Sequence, residues 1–162
     1  APIRFNALRE ILSAKTLDSA ALKEFWRKLT AAERVDAGLA GVGARAFAGV
    51  GMSDEAQDIV ERALANQWDS DLALLYADIV SEKPLTQIER AETWLKTHPN
   101  DAQLLLALGK LCAAEKLWGK AQSYIEASLS IEQSRPAHAA YAQLMEKMGR
   151  SDEALRYNRR KR

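Results

Sequence analysis

Residues 104–129 restrict the possible folds more than any other stretch of this chain. Leu104-Leu105-Leu106-Ala107-Leu108-Gly109-Lys110-Leu111-Cys112 is an apolar pattern of helical period. After a short polar break, Trp118-Gly119-Lys120-Ala121-Gln122-Ser123-Tyr124-Ile125-Glu126-Ala127-Ser128-Leu129 is another. Gly109 stands inside the first pattern and Ala121 early in the second. A glycine within a helix costs about 1 kcal/mol against alanine. What it allows is close approach of two backbones that a side chain would hold apart. The pair therefore predicts an antiparallel helical hairpin, with Cys112 as small apolar filler on the packed face.

The layout resembles a tetratricopeptide repeat, in which Leu-Gly marks the first helix and Ala-x3-Phe the second. Leu108-Gly109 supplies the first pair, and Ala121 with Ile125 the second. Leu105 and Cys112 replace the usual Trp and Tyr. Imperfect copies flank this unit. Ala44 and Ala56 take the places of Gly109 and Ala121, with Phe47, Val60 and Ala63 on the large and small positions. A degenerate copy ends at Leu95…Pro99 and has Gln87 where a small residue belongs. Ala154 lies 33 residues after Ala121, and Ser151-Asp152-Glu153-Ala154 nearly repeats Ser53-Asp54-Glu55-Ala56.

The fold class expected is all-α: a tetratricopeptide-like solenoid of helical hairpins, about ten helices in a right-handed superhelix. The whole of 1–162 reads as one domain. Residues 1–30 form a non-repeat N-terminal hairpin, and 34–67, 69–101, 102–134 and 135–162 are the repeats. In detail, Ile3, Ala7, Leu8, Ile11 and Leu12 give the first helix one apolar face, and Asp18 or Ser19 caps the second. Thr30 and Glu33 have capping-box spacing and open a long helix to about Val50, with Gly38, Gly41 and Gly43 inside it. Ser53-Asp54-Glu55 and Asp69-Ser70-Asp71 cap the next two. Lys83-Pro84 is a stop, Thr86 with Glu89 a start, and Ser134-Arg135-Pro136 another start. Gly149-Arg150-Ser151-Asp152 is expected to turn the chain into a last short helix.

Composition excludes several function classes. A net charge of +1 gives no electrostatic footprint for nucleic acid. One cysteine rules out an internal disulfide. No metal-ligand spacing, phosphate-binding glycine loop or nucleophile motif is present, so no catalytic residue, cofactor site or metal site is predicted and the chain is read as a non-enzyme. His98, before Pro99 at a turn, and His138, in a helix, read as structural or solvated. Trp26, Trp68, Trp94 and Trp118 read as packing at hairpin junctions. The chain starts at Ala1-Pro2 without Met, and is expected to be a fragment of a longer protein.

The architecture itself predicts one functional surface. First helices of each pair line a concave face suited to a peptide or helix from a partner. Its expected residues are Arg45, Leu72, Leu75, Ile79, Gln103, Leu106, Lys110, Ala139 and Gln143. Gly41 and Leu106 stand where a chaperone-binding carboxylate clamp needs its first Lys, which argues against that class.

Trp94-Leu95-Lys96-Thr97-His98-Pro99-Asn100-Asp101, the two stretches quoted at the outset, and Trp68-Asp69 followed by Leu72, Leu75 and Tyr76 carry a closer likeness. Over roughly 68–158 the chain resembles the C-terminal tetratricopeptide domain of the HemY family, encoded with haem-biosynthesis enzymes in proteobacteria. The resemblance implies a parent held in the bacterial inner membrane, with a cytoplasm-facing repeat domain. It also implies a protein–protein interaction scaffold for late haem (porphyrin) biosynthesis enzymes, not an oxidase. Two alternatives stand beside it. One is a general tetratricopeptide adaptor in envelope assembly or secretion. The other is a porphyrin-binding or transfer protein using His98 or His138 as iron ligand.

Overall fold

Short acceptor side chains start the first helix of each successive pair, and their spacing sets the frame. The computed structural model describes residues 2–14 and 16–160, with side chains described over 3–14 and 16–150. Among the described residues there are helices α1 (Pro2–Ser13), α2 (Ser19–Arg27), α3 (Ala31–Arg34), α4 (Ala37–Gly49) and α5 (Ser53–Asn66), and no strand. There follow α6 (Ser70–Tyr76), α7 (Pro84–Thr97), α8 (Ala102–Ala114), α9 (Trp118–Ile131) and α10 (Arg135–Arg160). The Leu39, Leu72 and Leu104 N–H groups donate to the carboxylates of Asp36, Asp69 and Asp101, and the Ala137 N–H donates to Ser134 Oγ. These four caps lie 33, 32 and 33 residues apart. Each satisfies a donor that a helix start leaves without an intrahelical partner.

The hairpins α4–α5 and α8–α9 are built to one plan. Their helices have 13 and 14 residues in both cases. Each element of the later hairpin lies 65 residues after its counterpart, Asp101 after Asp36 and Trp118 after Ser53. The turns match bond for bond. The Gly51 and Met52 N–H groups donate to Ala48 and Phe47 oxygens at 3.1 and 2.9 Å, and those of Lys116 and Leu117 to Ala113 and Cys112 oxygens at 3.0 and 2.9 Å. This is a Schellman closure, which needs a left-handed residue just past the helix. Gly51 (φ 82°) and Lys116 (φ 60°) are that residue.

The chain divides into two compact units, Ala1–Glu82 and Lys83–Arg162. In the first, α1, α2, α3, α5 and α6 all pack on α4 or on its hairpin partner α5. Trp26 of α2 lies over Gly43, where a Cβ would overlap its ring, and meets Phe47 edge-on with centroids 6.2 Å apart. In the second unit, α7, α9 and α10 all pack on α8. Leu104, Leu108 and Cys112 of α8 are fully enclosed. A Cβ on Gly109 would overlap Ile125 and stand 3.4 Å from the Ala121 carbonyl oxygen, so the predicted close approach of backbones is present.

Several local expectations are corrected. The capping box at Thr30 and Glu33 exists, but it opens only the single turn of α3, because Asp36 caps a new helix six residues on. Conversely, α10 runs unbroken through Gly149-Arg150-Ser151-Asp152, so the last repeat is one long helix and not a hairpin. That segment holds no proline, one glycine costs a helix only about 1 kcal/mol, and Arg150 pairs with Glu146 one turn back. Met52, not the Ser53-Asp54-Glu55 run, occupies the α5 cap, with no side-chain bond. Pro84 is the first residue of α7, where its missing N–H costs nothing. On α1 only Leu8 and Leu12 are buried, while Ile3 is 84% exposed. The helix packs mainly on α4, which covers a seam narrower than the five-residue stripe expected.

Candidate docking site

The nine residues expected to line the concave face fall on four helices or just past their ends. In the first unit Arg45 is exposed on α4, while Leu72, Leu75 and Ile79 are buried on and after α6. A depression of about 270 Å³ between α4 and α6 brings Arg45, Leu72 and Leu75 together. Its shape follows from α4's small residues. The Cβ that Gly41 lacks would lie 3.7 Å from Leu75 and 3.8 Å from Leu72, so the two leucines form a floor against bare helix backbone. Arg45 and Asp71 stand on the rim, both exposed. The result is a shallow seat with an apolar floor, one cation, and two carboxylates, Asp71 and the α6 cap Asp69.

In the second unit Gln103, Leu106 and Lys110 follow one another at helical spacing on α8, and Ala139 and Gln143 are exposed on α10. Leu106 is buried, and Gln103 and Lys110 are half-buried. The Gln103 Oε1 is enclosed with no hydrogen-bond partner among the described residues.

The residues quoted for chemistry or family likeness have structural roles. Glu92 of α7 accepts from the Tyr124 hydroxyl and pairs with Lys120 Nζ at 3.1 Å, tying α7 to α9. The Tyr124 hydrogen bond holds the Glu92 carboxyl below the usual carboxylate range. Burial, and then the same bond, push the Tyr124 phenol up, and Lys120 is raised by its bond to Glu92. Lys120 of the Trp118-Gly119-Lys120-Ala121 run is thus one member of an inter-helix polar tie. Burial pushes the Cys112 thiol up to about 11, which leaves it protonated and unreactive at neutral pH. His98 caps the end of α7 and His138 is exposed on α10. Among the described residues no group of three or more His, Cys, Asp or Glu could hold a metal ion.

A second concavity has no counterpart in the sequence reading. Between α2 and α5 lies a cleft of about 490 Å³, floored by Trp26, Phe47 and Ile59. Lys23 and Arg27 of α2, Arg34 of α3, and Asp54, Glu55 and Asp58 of α5 also line it. The signal for it was present as two like-charged pairs at i,i+4, Lys23/Arg27 and Asp54/Asp58. Such pairs are mildly unfavourable on an isolated helix and ask for a reason.

No protein-family model matches this chain, and no curated protein matches its sequence. Among solved structures it is similar to MamA AMB-1, with a TM-score of 0.51 and 22% identity over 88% of this chain and 86% of that one. A MamA MSR-1 structure gives a TM-score of 0.49 and 20% identity over 94% and 91% of the two chains. The likeness is one of fold. The chain is an all-helical, tetratricopeptide-like repeat protein.

Proposed function

We propose that this chain is a non-catalytic docking module that binds a segment of another protein along the faces of its first helices. The observation that supports the reading best is the seat between α4 and α6, where Leu72 and Leu75 floor a depression edged by exposed Arg45. An apolar floor against a glycine-bearing helix suits an apolar side chain from the partner, and Arg45 suits a carboxylate beside it. In the same proposal the partners are late haem-biosynthesis enzymes, and the parent protein sits in the bacterial inner membrane with this domain facing the cytoplasm. The stretches from Trp94 to Leu129 that resemble the HemY family support that part.

The test is affinity capture from a proteobacterial lysate with the wild-type chain and with Arg45→Glu/Lys110→Glu. Haem-pathway enzymes recovered by the wild type and lost with the variant support the whole proposal. A specific set of other proteins, lost in the same way, retains the docking seat and removes the haem association. A recovered set that the double variant leaves unchanged removes the seat. Fractionation of cells expressing the parent tests the location, which inner-membrane recovery supports and soluble recovery contradicts.

A further inference from the structure

The cleft between α2 and α5 is built differently from the α4–α6 seat. Its floor includes Trp26, half-buried and supported from below by the bare backbone of Gly43 and from the side by Phe47. A partly open tryptophan packed against other groups is the residue type that most often dominates a binding interface. The volume of about 490 Å³ is within the range of ligand-sized sites.

The walls carry opposite charge but do not close on each other. Arg27 pairs with Glu24 on its own helix at 2.7 Å, and Asp58 pairs with Arg62 on its own at 2.8 Å. Lys23 of α2 and Arg34 of α3, and Asp54 and Glu55 of α5, make no ion pair among the described residues. An apolar floor therefore lies between uncommitted cations and uncommitted anions. A uniformly acidic or basic ligand would be repelled by one wall, and a purely apolar one would leave both walls without a complement. A segment with both charges around an apolar residue satisfies all three surfaces.

We propose that this cleft is a second docking site, for a short segment of another protein in which an aromatic or aliphatic residue is flanked by an acidic residue on one side and a basic residue on the other. The apolar residue packs on Trp26 and Ile59. The acidic neighbour faces Lys23 and Arg34, and the basic neighbour faces Asp54 and Glu55. Because the walls are open to solvent, binding weakens as salt rises.

Randomised heptapeptides displayed on phage and selected against the full chain test this. The expected outcome is enrichment of sequences with opposite charges around an aromatic or aliphatic residue. The best of these, labelled for fluorescence anisotropy, should lose about tenfold or more in affinity with Trp26→Ala, with Lys23→Glu/Arg34→Glu, and with Asp54→Lys/Glu55→Lys. The two charge variants should be rescued reciprocally: the first by a peptide whose acidic residue is changed to Lys, the second by one whose basic residue is changed to Glu. Rescue cannot come from a variant that has simply lost its fold. Enrichment of no such pattern, equal binding to all variants, failure of both rescues, or loss of binding only with Arg45→Glu would each overturn the proposal. The last would place the peptides on the α4–α6 seat.

Discussion

The hairpins α4–α5 and α8–α9 share helix lengths, cap positions and turn hydrogen bonds, yet the space around their first helices is filled differently. In α8 the bulk is on the helix itself, with Leu104, Leu105, Leu106, Leu108 and Leu111 all buried. In α4, Leu39 and Phe47 are buried too, but part of the bulk comes from outside. Gly41 and Gly43 leave room that Leu72, Leu75 and Trp26 occupy. Gly43 and Leu108 are counterparts in the two hairpins, as are Ala44 and Gly109. One backbone plan thus accepts either a large residue on the central helix or a large residue pushed in from a neighbour. The second solution leaves Trp26 partly uncovered, and the two concavities described above are each lined in part by α4.

Replacing the fillers should separate the two solutions most widely. Leu108→Ala removes a fully enclosed side chain and should cost about 3–4 kcal/mol in urea denaturation. Trp26→Ala removes a larger but half-buried ring and should cost less, about 2 kcal/mol. Equal losses would mean that the first unit packs as deeply as the second.

Adding a methyl where the backbone is bare comes next. Gly109→Ala should destabilise by about 2 kcal/mol despite the gain in helix propensity, since the new Cβ meets enclosed Ile125. Ile125→Ala, which removes the Cγ1 that the new methyl overlaps, should cost less in the Gly109→Ala background than in the wild type. Gly43→Ala meets only the Trp26 ring, which can swing outward, and should cost about 1 kcal/mol while altering tryptophan fluorescence. A neutral Gly109→Ala would contradict the close approach of α8 and α9.

The turns differ by one residue at the same left-handed position. Lys116→Gly should stabilise by about 1 kcal/mol, and Gly51→Lys should destabilise by about as much, read from thermal and urea midpoints. Effects of equal sign would break the equivalence of the two turns.

The smallest effect concerns how α1 is held. Arg4 pairs with Glu33, and this bond, followed by the Thr30 backbone bond, lowers the Glu33 carboxyl to about 2 from its ordinary 4.5. A carboxyl lowered on folding stabilises above its unfolded value and loses that contribution as pH falls. Protection of the α1 amides, measured against the intrinsic exchange rate at each pH, should therefore fall between pH 4.5 and 2, and Glu33→Gln should show the lower protection already at neutral pH. An α1 exchange rate unaffected by that substitution would remove the pair as a fastening.

The second hairpin was legible in the sequence because each feature there has one physical reading. Gly109, Ala121 and Cys112 are small residues at helical spacing among leucines, and they do lie at the contact of α8 with α9. Caps at Asp18 and Asp69 were legible for a similar reason, since each precedes an apolar period. Elsewhere two local signals competed. Thr30 and Asp36 can both start a helix, and both do, which splits the long helix expected there. Pro84 can end a helix or begin one, and only the surrounding chain decides. Arg45, Leu72 and Leu75 meet in one depression, but the leucines floor it and do not project. The α2–α5 cleft was missed because its walls come from helices that a repeat frame does not pair, and only the like-charged i,i+4 pairs hinted at it.

Docking on the first-helix face is the central claim, and site-specific photo-crosslinking tests it most directly. A benzophenone amino acid is placed at position 45 on α4 or at position 126 on α9, both exposed. The parent protein is then irradiated in the cells that produce it. A discrete partner adduct from position 45 and none from position 126 is the predicted result. Adducts from position 126 alone, or the same adducts from both, would contradict the claim.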